Sequence, residues 1–164
     1  MKIHIRLALP EDLQRITSIS LEFMHDVGMP SEKWERKLPR LLLQIKAHLV
    51  WVAEEAGQVR GYIALSDASI LPILGDKRVH ITNTVVDRTW RRHSIAEKLR
   101  RHMIEQVWSR GYQLITTNHQ RDNHAIISLS EKLGFIQYLD RDFSKDCPDD
   151  LFYCIRCPAA GANN

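Results

Sequence analysis

A chain of 164 residues is long enough for one domain with a sizeable core and short for two. Its composition, 44% hydrophobic and 26% charged, is typical of a soluble globular protein, and a net charge of +3 is small for binding a nucleic-acid backbone. No apolar run approaches the roughly 18–20 residues that span a bilayer, and acidic residues follow the N-terminus too early for a signal peptide. We therefore expect a cytoplasmic protein.

The first half of the chain mixes extended and helical patterns. Residues 2–7 alternate apolar with polar side chains and predict a strand. Pro10 and the two acids after it favour the start of a helix that ends at Gly28. A second helix is predicted over residues 31–48, interrupted or entered at Pro39. Residues 49–54 and 59–65 flank a short Gly-containing connection and predict an antiparallel hairpin.

The second half of the chain also contains both extended and helical patterns. Residues 78–86 predict a strand, and residues 94–110 predict the clearest helix, whose apolar residues recur every four positions before Gly111. A short strand is predicted over 113–117, a helix over 123–133, and two last strands over 135–139 and 151–157. Residues 158–164 predict a frayed tail. The sequence therefore predicts one α+β domain over residues 1–164, with seven strands and four helices.

All three cysteines, Cys147, Cys154 and Cys157, lie near the C-terminus. Their odd number does not suggest a disulfide framework. Cys154 and Cys157 form a C-x-x-C pair, but no second pair or histidine couple completes a zinc set. We predict no metal site.

The segment 85–96 carries the clearest chemical signal. A strand ends there, a short loop with Arg88, Arg91, Arg92 and His93 follows, and an amphipathic helix begins. Backbone N–H groups at a helix start bind phosphate oxygens, and cationic side chains add charge-assisted contacts. The residues alone leave two interpretations open, a phosphate-binding loop and a solvated basic loop.

Two motifs resemble those of the Gcn5-related N-acetyltransferase (GNAT) family. Residues 91–96, RRHSIA, are similar to its acetyl-CoA signature: Arg or Gln, two variable residues, Gly, a variable residue, then Gly or Ala. Residues 123–135, which end in EKLGF, are similar to its second cofactor motif. The resemblance implies a mixed, mostly antiparallel sheet of about seven strands with four helices, in which the fourth and fifth strands splay apart to hold a thioester.

The resemblance also implies the cosubstrate and its site. Acetyl-CoA would donate an acetyl group to an amine, and its pantetheine amides would pair with the backbone of Val85 and Val86. Asn123 would bind the pantetheine arm or a phosphate. The amides that would cradle the pyrophosphate belong to Arg91, Arg92, His93, Ser94, Ile95 and Ala96.

This chain departs from the family pattern at two positions of that site. Ser94 stands where the family has its first glycine, and Ser130 stands where many members have a tyrosine that protonates the departing thiolate. Serine is a poor general acid. These departures keep an alternative open, a module of the same fold that binds acyl-CoA as a sensor or partner with little or no catalysis.

The proton acceptor is not fixed by the sequence. Many relatives use a glutamate on the fourth strand, where this chain has Thr82, which could orient a water but cannot act as a base. His80 and His119 are titratable alternatives, and Tyr138 is a candidate proton donor. Surface or packing roles stay open for each of them, since the chain has eight histidines.

The acceptor is expected to be a small-molecule or peptide amine, bound by the first two helices, the hairpin and residues 66–77. Side chains that could line its site are Glu22, His25, Asp26 and Trp34. The basic stretch has no nucleic-acid-binding motif or interleaved aromatic residues, which disfavours a nucleic-acid partner. A homodimer stays open.

Overall fold

The computed structural model describes residues 2–69, 77–138 and 149–158. Its four helices are α1 Leu13–Asp26, α2 Glu32–Lys46, α3 Ile95–Ser109 and α4 His124–Lys132. Its seven strands are β1 His4–Leu7, β2 Val50–Glu55, β3 Gln58–Asp67, β4 Arg78–Val86, β5 Leu114–Gln120, β6 Ile136–Tyr138 and β7 Asp150–Arg156. The predicted α+β class, with these numbers of strands and helices, is confirmed.

The strands form one mixed sheet in the order β1-β2-β3-β4-β5-β7-β6. Strand β4 runs parallel to β5, and the pairs β1–β2, β2–β3, β5–β7 and β6–β7 are antiparallel. The parallel pairing joins Arg78–Ile81 to Leu114–Thr117, whereas β4 continues to Val86 and β5 to Gln120. The mostly antiparallel sheet is confirmed, and the splay of the two parallel strands stays a prediction.

The residues cluster into two compact units. The first contains Met1–Ser66 and Thr82–Met103, and the second contains Asp67–Ile81 and Ile104–Asn164. The core of the first is an apolar cluster that includes Ile16, Val52 and Tyr62, all fully buried. The Tyr62 hydroxyl hydrogen-bonds Ser20 Oγ at 2.8 Å, and burial raises the pKa of this tyrosine. Buried residues of the second unit include Ile115 and Phe152.

The helix over residues 32–46 passes through Pro39 without a break. Pro39 is exposed, while Trp34, Leu41 and Ile45 form a buried stripe on the same helix. Packing of an amphipathic face supplies most of the stability of a helix in a protein, so it outweighs one missing backbone donor. The predicted interruption at Pro39 is therefore wrong.

Two strand boundaries differ from those predicted. Strand β5 extends to Gln120 instead of ending at Thr117, and β7 begins at Asp150. The polar residues 118–120 resemble a turn in the sequence but pair with 150–152 in the structure. Cys147, Leu139 and residues 159–164 lie outside the described residues. Within the described part of the chain, no helix is both long and apolar enough to cross a bilayer.

Candidate functional site

The loop after β4 is anchored on α1 by a buried carboxylate. Asp87 follows β4 directly, is 5% exposed, and forms an ion pair with Arg15 of α1. It also accepts hydrogen bonds from the backbone N–H of Thr89 at 2.9 Å and from the Thr89 hydroxyl at 2.8 Å. These contacts fix the short 3-10 helix Arg88–Trp90, with which the loop begins.

Arg91, the first residue of the predicted signature, contacts α1. Its Nη1 lies 2.8 Å from Asp26 Oδ2, and its Nε donates to Val86 O at 3.3 Å. Arg88 approaches the same carboxylate at 3.5 Å. Asp26 therefore offsets part of the positive charge of the loop, and Arg91 holds the end of β4 in place.

The backbone between Arg91 and α3 turns through two left-handed residues. Arg92 has φ of 66° and Ser94 has φ of 57°. A side-chain-bearing residue pays roughly 1–2 kcal/mol for this conformation, which glycine adopts freely. Left-handed residues in a turn point successive N–H groups toward one concave side, an arrangement that binds anions. The signature residues Arg92, His93 and Ser94 are all exposed there, just before Ile95 begins α3.

Gly61 lets β3 approach this segment closely. A Cβ on Gly61 would lie 2.9 Å from Val85 O and 3.3 Å from Ile95 Cγ2. Val85 and Ile95 are both buried, whereas Val86 and Ala96 are half-buried. The close approach at Gly61 could not be predicted from the sequence, because a lone glycine in a strand does not show which backbone segment it faces.

Thr82 takes part in a polar cluster on α2 and β3. Its hydroxyl donates to Ala64 O at 3.0 Å and accepts from Gln44 Nε2 at 3.1 Å. Gln44 is 7% exposed and also donates to Ser66 Oγ at 2.9 Å. The Thr82 oxygen is therefore fixed by neighbours on both sides.

His80 lies in a hydrogen-bonded chain of the second unit. Its Nδ1 lies 2.9 Å from Thr116 Oγ1, and its Nε2 lies 3.0 Å from Asn118 Oδ1. The Asn118 amide N–H in turn donates to the carboxylate of Asp150. The Thr116 hydroxyl also approaches Val79 O at 3.4 Å.

The series of hydrogen bonds through Asn118 fixes which ring nitrogen of neutral His80 carries the hydrogen. A carboxylate only accepts, so Asp150 requires the amide nitrogen of Asn118 on its side and leaves the amide oxygen facing His80. That oxygen also only accepts, so His80 Nε2 carries a hydrogen. In the neutral ring, Nδ1 then holds the lone pair and accepts from Thr116. If Nδ1 gains a proton, the Thr116 hydroxyl can turn to Val79 O.

His119 and Ser130 form a buried pair in the second unit. His119 is 7% exposed, Ser130 is completely buried, and His119 Nε2 lies 2.8 Å from Ser130 Oγ. The His119 ring is tilted against Tyr153, whose hydroxyl donates to Glu131 Oε1 at 3.3 Å. A ligand can contact the Ser130 hydroxyl only if a neighbouring side chain moves.

The remaining predicted site residues lie at the ends of elements. Asn123 is exposed and caps α4, where its Oδ1 accepts from the Ile126 N–H at 3.4 Å. Tyr138 is half-buried at the end of β6 and packs edge-on against Phe152.

Three of the four residues expected to bind the acceptor line one cleft, and the fourth, Trp34, does not. Trp34 is 4% exposed and belongs to the core. Glu22, His25 and Asp26 line one surface cleft of about 540 Å³, which they share with residues 87–89 of the basic loop. Because Asp26 is paired with Arg88 and Arg91, it is not a free acid for a cationic amine.

Asn118 and Asp150 are site candidates that sequence reasoning missed. Thr116 and Asn118 are two residues apart in a strand and therefore share one face, so alternating polar residues could have pointed to them. The predicted strand ended at Thr117, which hid that alternation. Asp150 is close to Asn118 only through the β5–β7 pairing. Among the described residues, no group of three or more His, Cys, Asp or Glu could hold a metal ion.

Comparison with solved structures shows the fold. An N-acetyltransferase from Staphylococcus aureus Mu50 has TM-score 0.73 and 22% identity, over 95% of this chain and 99% of that one. The PaiA N-acetyltransferase from Thermoplasma acidophilum, in complex with coenzyme A, has TM-score 0.73 and 17% identity, over 96% of this chain and 100% of that one. YncA from Salmonella typhimurium, a putative acetyltransferase with acetyl-CoA, has TM-score 0.72 and 19% identity, over 99% and 98%.

No curated protein matches the chain by sequence. The model of the acetyltransferase (GNAT) family, in contrast, matches residues 13–135, which include β4, the basic loop, α3 and α4. The match covers three quarters of the chain and both of the motifs described above. This chain belongs to the GNAT acetyltransferase family.

Proposed function

We propose that the protein transfers an acetyl group from acetyl-CoA to an amine. The observation that carries this proposal is the anion-binding turn at Arg92 and Ser94, placed between the end of β4 and the start of α3 in a GNAT chain. The relatives from T. acidophilum and S. typhimurium bind coenzyme A and acetyl-CoA, which supports the same cosubstrate here.

The residues present fit this cosubstrate. The amides of residues 91–96 would hold the pyrophosphate at the positive end of the α3 dipole, where negative charge is stabilised. The backbone of Val85 and Val86, at the end of β4, would pair with the pantetheine amides as another strand does. Asn123, exposed at the start of α4, would bind the arm or a phosphate. Ser130 is completely buried and contacts His119, so in this proposal it would act on the cosubstrate only through His119.

We assign the role of general base to His80. In the reaction, the amine nitrogen forms a bond to the acetyl carbon, the carbon–sulfur bond of the thioester breaks, and the amine loses a proton. The amine proton passes to Thr116 Oγ1 while the Thr116 hydroxyl gives its own hydrogen to the lone pair on Nδ1 of His80, and the renewed hydroxyl then turns to Val79 O. Asn118 and Asp150 are positioning residues, because they fix which ring nitrogen is basic.

Thr82 orients a water or the amine in this proposal, since its hydroxyl is already held by Gln44 and Ala64. A thiolate is a weak base, with a reference pKa of about 8.5 for the cysteine thiol, so coenzyme A can depart with little help from an acid. His119 and Tyr138 are the candidate donors for its proton. The acceptor is a small-molecule or peptide amine.

The function is tested by measuring thiol release from acetyl-CoA with a broad panel of amines, together with the melting temperature in coenzyme A. Ligand at 100 times its dissociation constant stabilises the folded state by about 2.7 kcal/mol. We expect a melting temperature several degrees higher and thiol release with at least one amine. Binding without transfer to any amine would favour the non-catalytic acyl-CoA module, and the absence of both effects would refute the proposal.

The base is tested with His80→Ala and the matched variant His119→Ala. General-base catalysis contributes typically 10²–10⁴-fold, so we expect kcat to fall by about that factor for His80→Ala. The acidic limb of the pH–rate profile should disappear only in this variant. An unchanged profile for His80→Ala, in a protein that still melts cooperatively, would remove His80 from the mechanism.

A further inference from the structure

One flank of α2 carries three cations and no acid. Lys33, Lys37, Arg40 and Gln44 follow one another at intervals of four, three and four residues, which places them along one side of the helix. The three cationic side chains are exposed. None of the ion pairs of the described residues involves them.

Repulsion among these cations destabilises α2 when no anion is bound to the flank. Like charges four residues apart on a helix repel each other, as Lys33 and Lys37 do. Loss of hydration, with the neighbouring charges of Lys33 and Arg40, lowers the pKa of Lys37. A ligand that brings negative charge would relieve this repulsion.

The flank is connected to the reacting strand through hydrogen bonds. The Arg40 guanidinium donates to Ser66 Oγ from Nη2 at 2.8 Å and from Nε at 3.2 Å. Gln44 Nε2 donates to the same oxygen at 2.9 Å and to Thr82 Oγ1 at 3.1 Å. These hydrogen bonds therefore join the cationic flank of α2 to Thr82 on β4.

Ser66 adds a donor to this surface. Arg40 and Gln44 both donate to its oxygen, so both lone pairs of that oxygen are occupied. The hydroxyl hydrogen of Ser66 must therefore point toward a different partner. A carboxylate or phosphate oxygen could accept from it and from Arg40 together.

We infer that the flank of Lys33, Lys37, Arg40 and Ser66 binds an anionic group of the acceptor, so that the preferred acceptor is a small amine with a carboxylate or a phosphate. The inference rests on the proposed acetyl transfer and names the substrate class of the same site. The acidic side chains Glu22 and Asp26 line a different cleft, beside the basic loop, so they do not oppose this charge preference.

The test compares pairs of primary amines with and without an anionic group: β-alanine with its amide, and phosphoethanolamine with ethanolamine. We expect a higher kcat/KM for the anionic member of at least one pair, and the two pairs distinguish a carboxylate site from a phosphate site. In Lys37→Gln and Arg40→Gln, this preference should fall about fivefold for each lost charge. It should also fall with added salt, which screens exposed charges.

Lys46→Gln is the matched control. Lys46 lies about 180° around the helix from Lys37, and its substitution removes the same charge. The preference of this variant for the anionic amine should equal that of the unchanged protein. Equal kcat/KM within both pairs, or loss of the preference in Lys46→Gln as well, would overturn the inference while leaving acetyl transfer intact. Absence of transfer to every amine of the broad panel would instead refute the proposed function.

Discussion

At the scale of single residues, the amide of Asn118 decides which nitrogen of His80 is basic. Its oxygen faces the ring only because the Asp150 carboxylate holds its nitrogen. Exchanging the two groups, in the double variant Asn118→Asp with Asp150→Asn, keeps the hydrogen-bond chain but moves the negative charge next to the imidazole. An adjacent anion stabilises the imidazolium, so the acidic limb of the pH–rate profile should move to higher pH.

Nitrogen chemical shifts of His80 provide an independent measurement of this chain. In the unchanged protein and in the exchanged variant, the neutral ring should carry its hydrogen on Nε2. In Asp150→Ala the amide is free to turn, and the Nδ1–H form should appear. A tautomer that is the same in all three proteins, with an unmoved pH–rate profile, would show that Asn118 and Asp150 only pack beside the ring.

Ser94 is a second residue whose backbone makes a clear prediction. Its φ of 57° is costly for a residue with a Cβ, and the relief in Ser94→Gly exceeds the entropy that glycine adds to the unfolded chain. We expect about 0.5 kcal/mol of added stability and tighter binding of coenzyme A, measured by thermal melting and calorimetry. Ser94→Ala keeps the Cβ and should not be stabilised; an equal gain in both variants would contradict the backbone explanation.

Some of these candidate site residues can be recognised from the sequence, and others cannot. The basic loop and Ser94 are contiguous, so a short motif suffices to find them. The environment of His80 involves three strands, and the pairing that brings Asp150 to Asn118 has no local signal. The ion pair of Arg91 with Asp26 joins residues 65 positions apart, and nothing near Arg91 in the sequence predicts it.

At the scale of elements, Arg6 of β1 ties the strand to the start of α1. Arg6 donates to both carboxylate oxygens of Asp12, at 2.7 and 3.0 Å, and to Glu54 of β2 at 2.7 Å. Burial of Asp12 opposes its ionisation, but the hydrogen bonds from Arg6 and from the Leu9 N–H outweigh it and lower the pKa of Asp12. The contact therefore stabilises the fold above the ordinary pKa of aspartate and is lost as the pH falls through the lowered value.

Asp12→Asn should accordingly lose about 2 kcal/mol at pH 7, because Arg6 and the Leu9 N–H lose a charged acceptor. The difference from the unchanged protein should shrink as the pH falls below about 4. Denaturant unfolding at several pH values measures both effects. Glu11→Gln, an exposed acid next in the chain, is the control and should change little; a pH-independent loss in Asp12→Asn would contradict the ionic explanation.

The elements themselves were largely predictable from periodicity. All seven strands and all four helices appear close to where the sequence pattern placed them, because most of them bury one apolar face. The errors occur where a polar or helix-breaking residue sits in an element that tertiary contacts hold, as with Pro39 in α2 and Asn118 in β5.

At the scale of the whole molecule, the two compact units share two continuous elements. Strand β4 has residues 78–81 in the second unit and 82–86 in the first, and α3 is divided after Met103. Neither unit can unfold alone without breaking a strand and a helix. We therefore propose that residues 1–164 form one domain that unfolds in one transition, with equal calorimetric and van't Hoff enthalpies. Two separate melting steps would contradict this proposal.

The buried contact between His119 and Ser130 has a consequence for how the protein can evolve. Ser130 is completely enclosed, so a larger side chain such as tyrosine has no room beside the His119 ring. Ser130→Tyr alone should therefore misfold or strain the protein, and a smaller residue at position 119 would have to come first or together with it. Positions 119 and 130 are therefore expected to covary among homologues.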